Sequence, residues 1–176
     1  MKKYIVSALI TTAIFFGCKT KTDSDASKKL NITFEAKSNS KVSGTASFVE
    51  KNGKVTFVAN VSGLEPGVHA IHIHEKSDCS AADGSSAGGH WNPTFKKHGK
   101  WGVAEYHKGD IGNFTADAKG NGVITLTTDE WCIGCGDDTK DILGKGLIVH
   151  QGADDFTSQP AGDAGAGPHG PGAAEI

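Results

Sequence analysis

Short alternations of apolar and polar residues, broken by turn residues, run through most of the chain from Leu30 onward. A period of two is typical of antiparallel β-strands that bury one face. The clearest pair of predicted strands flanks Asn52-Gly53, a dipeptide favoured in two-residue hairpin turns. Further strands are predicted over residues 68–75, 111–118, 123–128 and 146–150. The pattern predicts an all-β domain, and it assigns no strand to the glycine- and proline-rich chain after His150.

The first 29 residues lie outside this pattern. A basic start is followed by an apolar run over 5–16 and by Phe15-Phe16-Gly17-Cys18, which looks like a bacterial lipoprotein signal over 1–18 with a lipidated Cys18. An ordinary secretory signal or a membrane-spanning helix is the alternative, although the run is short for a span. Residues 19–29 are interpreted as a polar tether, so we expect the folded domain over 30–176. We also expect a lipid-anchored protein of the bacterial cell envelope, either periplasmic or on the outer surface.

The charge balance excludes one large class of partner. All 18 basic residues are lysine, the chain has no arginine, and 20 acidic residues give a net charge of −2. Because no basic excess is present, the sequence does not favour a nucleic-acid partner. We expect the membrane to be contacted only through the lipid anchor.

Histidines at metal-ligand spacing provide the candidate chemistry. His72 and His74 are two apart in a predicted strand and therefore face the same side, where both imidazoles can bind one ion. Nitrogen ligands from two strands suit copper, whereas a histidine set with one carboxylate suits zinc. The candidates are His72, His74 and His150 for the first kind, His98, His107 and Asp110 for the second, and His90, whose two nitrogens can serve both. His69 and His169 are interpreted as ordinary core or surface residues.

The loop that carries three of these histidines is unusually long. Residues 76–109 are rich in Gly, Ser, Ala and Lys and show no sustained period. A loop of this length inside one domain is usually functional or disordered, and bound metal would supply the ordering free energy that its composition lacks.

Three cysteines follow Cys18, namely Cys79, Cys132 and Cys135. In an exported chain they favour a structural disulfide over a thiol redox centre, although Cys132-Ile133-Gly134-Cys135 has the form of both redox and zinc sites. The odd number leaves one thiol over, and the residues alone do not decide which two pair.

Five segments together resemble the copper/zinc superoxide dismutases, from about Val42 to Gly165. The segments are Gly67-Val-His-Ala-Ile-His-Ile-His-Glu75, Ser86-Ala-Gly-Gly-His-Trp-Asn-Pro93, His98-Gly99, His107-Lys-Gly-Asp-Ile-Gly-Asn113 and Leu147-Ile-Val-His-Gln-Gly-Ala-Asp-Asp155. The resemblance implies a Greek-key β-barrel or sandwich of eight strands, immunoglobulin-like, with copper and zinc under two long loops.

The resemblance also implies the role of each residue. Copper would be bound by His72, His74, His90 and His150, and zinc by His90, His98, His107 and Asp110, with His90 as a bridging imidazolate. Asp154 matches the carboxylate that accepts hydrogen bonds from one copper and one zinc histidine, here His72 and His98. The implied reaction converts superoxide to dioxygen and hydrogen peroxide, with no organic cofactor, and it is compatible with a homodimer and a copper-loading partner.

The C-terminal region departs from the family pattern. The motif begins as Gly162-Asp163-Ala164-Gly165, but Gly167 stands where the family has an arginine that attracts superoxide to copper. The motif's cysteine is also missing, so Cys79 pairs with Cys132 or Cys135 or stays free. Residues 166–176 are atypical, and because 167–172 hold two prolines and three glycines we expect a doubtful closing strand and an open sheet edge.

Two functions of different classes follow from these observations. The first is a lipid-anchored copper/zinc superoxide dismutase with a reduced rate. The alternative is a non-catalytic copper- and zinc-binding protein on the same scaffold, motivated by the missing arginine. A zinc hydrolase is less favoured, because the predicted zinc set has four ligands and leaves no open position.

Overall fold

Nine strands form in the computed structural model, which describes residues 27–159 and 170–176. Their bounds are β1 Lys28–Thr33, β2 Glu35–Ala36, β3 Ser43–Lys51, β4 Lys54–Ser62, β5 Gly67–His74, β6 Gly112–Ala116, β7 Gly122–Thr128, β8 Gly146–Val149 and β9 Gly172–Glu175. The helical structure of these two ranges is one 3-10 turn at Ser85–Ala87.

The strands join into one antiparallel sheet that nearly closes on itself. They pair in the order β1-β3-β4-β7-β6-β5-β8-β9-β2. Only Phe34 separates β1 from β2, and these strands lie at opposite ends of the order, so one stretch of chain closes the barrel. Counted as one strand, they give the eight strands predicted. The connections β4 to β5 and β7 to β8 pass over neighbouring strands, and the all-β Greek-key prediction is confirmed.

The predicted hairpin at Asn52-Gly53 joins β3 to β4. Asn52 and Gly53 have φ angles of 52° and 71°, the left-handed values that a type I′ turn requires at both central positions. The register sets Phe48 opposite Phe57, and their ring centroids lie 4.9 Å apart inside the barrel. Trp131 packs against both rings, so the hairpin and the loop after β7 share one core.

The expectation of an open edge after residue 167 was wrong. β9 begins at Gly172 and pairs with both β8 and β2. Ala173 and Ala174 are fully buried, and a Cβ at Gly172 would lie 2.6 Å from Val42 Cγ1. Small residues are therefore what the packing requires here, although they carry almost no strand signal in the sequence.

Several predicted features lie outside the described residues. These are the signal over 1–18 with Cys18, the tether up to residue 26, and residues 160–169 with Gly167 and His169. Within the described ranges, no helix is long and apolar enough to cross a membrane. β1 starts at Lys28, just before the expected domain boundary at residue 30.

Candidate metal centre

β5 and β8 supply the first three histidines of the centre. His72 and His74 occur two apart on β5, and His150 directly follows β8, which pairs antiparallel with β5. All three side chains are fully buried. His74 Nε2 lies 3.2 Å from His150 Nε2, and the ring centroids of His72 and His150 are 4.9 Å apart. The pairing of β5 with β8 therefore brings these imidazoles together, as predicted.

Two backbone hydrogen bonds attach the long loop to β5, and a third joins the two attached parts of the loop to each other. The Trp91 N–H donates to the Ile73 carbonyl at 2.8 Å, the Ile73 N–H to Gly109 at 2.9 Å, and the Gly109 N–H to Trp91 at 3.0 Å. A Cβ at Gly109 would lie 2.1 Å from the Ile73 oxygen, so only glycine allows this approach. The attachment brings His90 to 4.0 Å from His72, measured between ring centroids.

Two groups of possible ligands result, and they share one residue. The ligand atoms within each group all lie within 4.8 Å of one another. The first group is His72, His74, His90 and His150, and the second is His90, His98, His107 and Asp110. The structure therefore brings together every residue that the resemblance implied for the two metals.

Asp110 is the centre of the second group. Its Oδ1 lies 2.8 Å from His90 Nδ1 and 3.3 Å from His107 Nδ1, and its Oδ2 lies 2.9 Å from His98 Nδ1. Oδ2 also accepts backbone N–H groups of Gly99 at 3.1 Å and His107 at 2.8 Å. Burial raises the pKa of Asp110, but the close ring nitrogens of His107, His90 and His98 outweigh it and hold the pKa well below its usual range.

Asp154 connects the two groups. Its Oδ2 lies 2.9 Å from His72 Nε2, within ion-pair distance but outside hydrogen-bond geometry, and its Oδ1 lies 2.8 Å from His98 Nε2. The side chain of Asn113 on β6 fixes the Asp154 backbone through hydrogen bonds of 2.9 and 2.7 Å. Burial lowers the pKa of His98, but Asp110 and Asp154 reverse this and raise it to about 9.

The donor atoms suit copper and zinc. His72 Nδ1 and His90 Nε2 in the first group, and His98 Nδ1 and His107 Nδ1 in the second, are buried without a hydrogen-bond partner. Such nitrogens are costly to bury unless a cation accepts their lone pairs. Burial, helped by His72, lowers the pKa of His90 to about 3, which keeps its imidazole neutral and able to bind metal. Four nitrogens match copper, and three nitrogens with a carboxylate match zinc.

One supporting residue was missed by sequence reasoning. His69, interpreted as an ordinary residue, places Nδ1 3.0 Å from the His150 carbonyl oxygen and Nε2 2.8 Å from that of Glu65. It therefore holds the backbone of a first-group histidine. The period of two could not reveal this contact, because His69 lies an odd number of positions from His72.

The cysteines pair locally. Cys132 and Cys135 form a disulfide, which confirms the predicted structural disulfide, whereas Cys79 keeps a buried thiol. Burial, with the nearby charge of Glu175, raises the pKa of Cys79 to about 11. The sequence left open whether Cys79 pairs with Cys132, pairs with Cys135 or stays free, and in the structure it stays free.

Comparisons with known proteins agree with this centre. The family model for copper/zinc superoxide dismutase matches residues 42–169. Superoxide dismutase 2 (Cu-Zn) of Aquifex aeolicus strain VF5 is 38% identical over 70% of this chain and 74% of its own length, and superoxide dismutase 1 (Cu-Zn) of the same organism is 37% identical over 69% and 74%.

Two further relatives have other names. The copper chaperone for superoxide dismutase of Rattus norvegicus is 31% identical over 65% of this chain and 40% of its own length. Among solved structures, the clock protein EA4 superposes with a TM-score of 0.69 at 27% identity, over 82% of this chain and 92% of that one.

Proposed function

The chain belongs to the copper/zinc superoxide dismutase family, and we propose that it converts superoxide to dioxygen and hydrogen peroxide at a binuclear centre. The observation that carries the proposal is the pair of buried ligand groups that share His90. The family makes the chain an oxidoreductase with copper and zinc as cofactors.

We assign the ligands according to the two groups. Copper is held by His72, His74, His90 and His150, and zinc by His90, His98, His107 and Asp110. Two observations support this assignment. The first group offers only nitrogen donors, and the second places its carboxylate against three Nδ1 atoms.

When bound, copper supplies the one-electron chemistry that oxidises one superoxide and reduces a second, which takes up two protons. The chain's own residues orient the ligands and hold a proton. His90 has Nδ1 against Asp110, which leaves Nε2 as the atom that can carry a proton between turnovers. Asp154 fixes the ring orientations of His72 and His98, as outer carboxylates do at metal sites.

A reduced rate is part of the proposal. Superoxide is an anion, and a positive charge in the approach to the metal raises its on-rate. The chain has no arginine, and the segment 151–159 after β8 carries Asp154 and Asp155 but no lysine. We therefore expect encounter to be slower than in relatives with a guiding arginine.

Location and partners are proposed from the sequence. The signal-like segment ending at Cys18 supports a lipid-anchored protein of the cell envelope, which labelling with a radioactive fatty acid and loss of label in Cys18→Ser would test. The similarity to a copper chaperone for superoxide dismutase supports a copper-loading partner. A homodimer is compatible with the fold, and sedimentation of the mature chain tests it.

Substitution of one copper-group histidine tests the proposed centre. His150→Ala removes a buried imidazole from the first group and leaves all four members of the second. We expect this variant to retain zinc, to lose copper affinity and to remove superoxide no faster than its released copper does. The matched control is His169→Ala, because the sequence assigns His169 to neither metal. Full superoxide removal by His150→Ala would contradict the assignment.

The alternative is a non-catalytic copper- and zinc-binding protein. The absence of arginine favours it, and so does the likeness to a chaperone, whose name describes copper handling rather than turnover. Copper and zinc bound at full occupancy without superoxide removal would establish the alternative and exclude the enzyme.

A further inference from the structure

A second set of metal-ligating atoms lies in the loop between β7 and β8, apart from the histidine centre. The sulfurs of Cys132 and Cys135 and a carboxylate oxygen of Asp141 all lie within 4.8 Å of one another. The two sulfurs are joined as a disulfide, so they can bind a metal only after reduction. Neither the proposed copper group nor the zinc group uses any of these residues.

Hydrogen bonds hold the loop in addition to the disulfide. Asp141 Oδ1 accepts the backbone N–H of Gly134 at 2.9 Å, and Oδ2 accepts that of Gly136 at 2.9 Å. The Ile133 N–H donates to Glu50 Oε2 at 2.9 Å, which attaches the loop to β3. A disulfide that encloses only two intervening residues removes little entropy from the unfolded chain. The reduced loop should therefore keep the two sulfurs close together.

The local charge favours a cation once the disulfide is open. The two oxygens of Asp141 accept backbone N–H groups of Gly134 and Gly136, and such bonds favour the ionised carboxylate over the neutral acid. Two thiolates beside this carboxylate would form a cluster of three negative charges. These charges repel one another unless a positive ion lies among them. Thiolates are soft ligands that suit Cu(I) and zinc, but two sulfurs with one carboxylate fall short of the four ligands that zinc usually takes, which leaves Cu(I) as the better match.

We propose that reduced Cys132 and Cys135, with Asp141 beside them, bind Cu(I), so that the redox state of the pair controls a second copper site. The proposal does not rest on superoxide chemistry at the histidine centre. It assigns the Cys-x-x-Cys segment a role beyond that of a structural crosslink.

The unequal exposure of the two cysteines determines which sulfur an external thiol attacks first. Cys135 is exposed, whereas Cys132 is 7% exposed. A thiolate of an external dithiol attacks Cys135 Sγ, the S–S bond breaks, and Cys132 leaves as a thiolate that takes up a proton. The second thiol of the donor then attacks the mixed disulfide, which releases Cys135 and leaves the donor as a disulfide. Cu(I) binding displaces the two thiol protons.

The test uses protein whose histidine centre is already loaded with copper and zinc. This precaution matters because the Trp131 Nε1–H donates to the Lys108 carbonyl at 2.8 Å, so the loop contacts the segment that carries His107 and Asp110. The protein is reduced anaerobically with a water-soluble phosphine and titrated with Cu(I) from a competing chelator. We expect reduced protein to bind about one additional Cu(I) per chain, with sulfur-to-copper absorption in the near ultraviolet, and oxidised protein to bind none.

Matched variants locate the additional ion. Cys132→Ser/Cys135→Ser and the single exposed change Cys135→Ser should lose it, whereas Cys79→Ala, which removes the buried thiol elsewhere, should keep it. Asp141→Asn should weaken it by about tenfold, as is typical for a supporting carboxylate. The proposal is overturned if reduced protein binds no more Cu(I) than oxidised protein, if the double serine variant still binds it, or if the reduced pair takes Zn²⁺ and not Cu(I).

Discussion

Asp154→Asn tests the connection between the two ligand groups. Asp154 is 4% exposed, and its two oxygens lie 2.9 Å from His72 Nε2 and 2.8 Å from His98 Nε2. Asparagine keeps the shape and one oxygen. It loses the charge, however, and turns an NH₂ group towards one imidazole that needs an acceptor.

The expected loss follows from these contacts. A hydrogen bond to a charged group contributes about 1.5–3 kcal/mol, and the amide removes at least one. Outer carboxylates that orient metal-binding histidines typically contribute about tenfold to hundredfold in affinity. Because the carboxylate contacts one member of each group, we expect the affinities for copper and zinc both to fall by about this factor.

Competition titrations with a chelator, run separately for each metal, measure the effect. The control is Asp155→Asn, because Asp155 is exposed and its carboxylate accepts backbone N–H groups of Thr157 and Ser158, much as Asp154 accepts that of Phe156. The control therefore reproduces the change in turn capping. A carboxylate oxygen of Asp155 lies within 4.8 Å of a His98 nitrogen, but the oxygen at 2.8 Å from the His98 ring belongs to Asp154. The reasoning is refuted if Asp154→Asn binds both metals as tightly as Asp155→Asn while its circular dichroism shows a folded barrel.

Three further predictions concern packing, ionisation and substrate approach. Gly172→Ala directs a methyl group to 2.6 Å from Val42 Cγ1, so we expect about 1–3 kcal/mol less stability in denaturant unfolding, partly recovered in a Val42→Ala background. Equal losses in both backgrounds would contradict this packing. Because burial raises the pKa of Cys79 to about 11, the unfolded chain releases this proton first, and stability falls as pH rises from about 9 towards 11. Cys79→Ala should flatten that decline, and an identical pH profile would refute the assignment. Gly167→Arg should speed superoxide removal by about tenfold or more and make it more sensitive to salt, and an unchanged stopped-flow rate would show that charge at this position does not limit encounter.

The metal groups could be predicted because each ligand carries its chemistry in the side chain. His72 and His74 share a face through the period of the strand. The remaining ligands were inferred from spacing and from the family resemblance, and the structure brings them together through backbone contacts around Gly109. Those contacts involve main-chain atoms that no composition or periodicity reveals.

The features that escaped prediction depend on distant contacts. β9 has no large apolar residue, because its alanines fill a narrow space and Gly172 meets Val42, far away in sequence. The role of His69 depends on two backbone carbonyls, and these are placed by the fold. The choice of Cys132 and Cys135 as the disulfide pair similarly depends on which sulfurs the loop brings together, which the count of cysteines left open.

The most direct test of the central claim is the superoxide removal rate per copper, measured by stopped flow on protein with copper and zinc contents determined in the same sample. A chelator is added to suppress the activity of unbound metal. We predict that fully loaded protein then removes superoxide faster per copper than the same concentration of free copper does. We also predict that the His150→Ala variant removes superoxide no faster than free copper does. A fully metallated protein with both ligand groups intact and no activity above free copper would contradict the account.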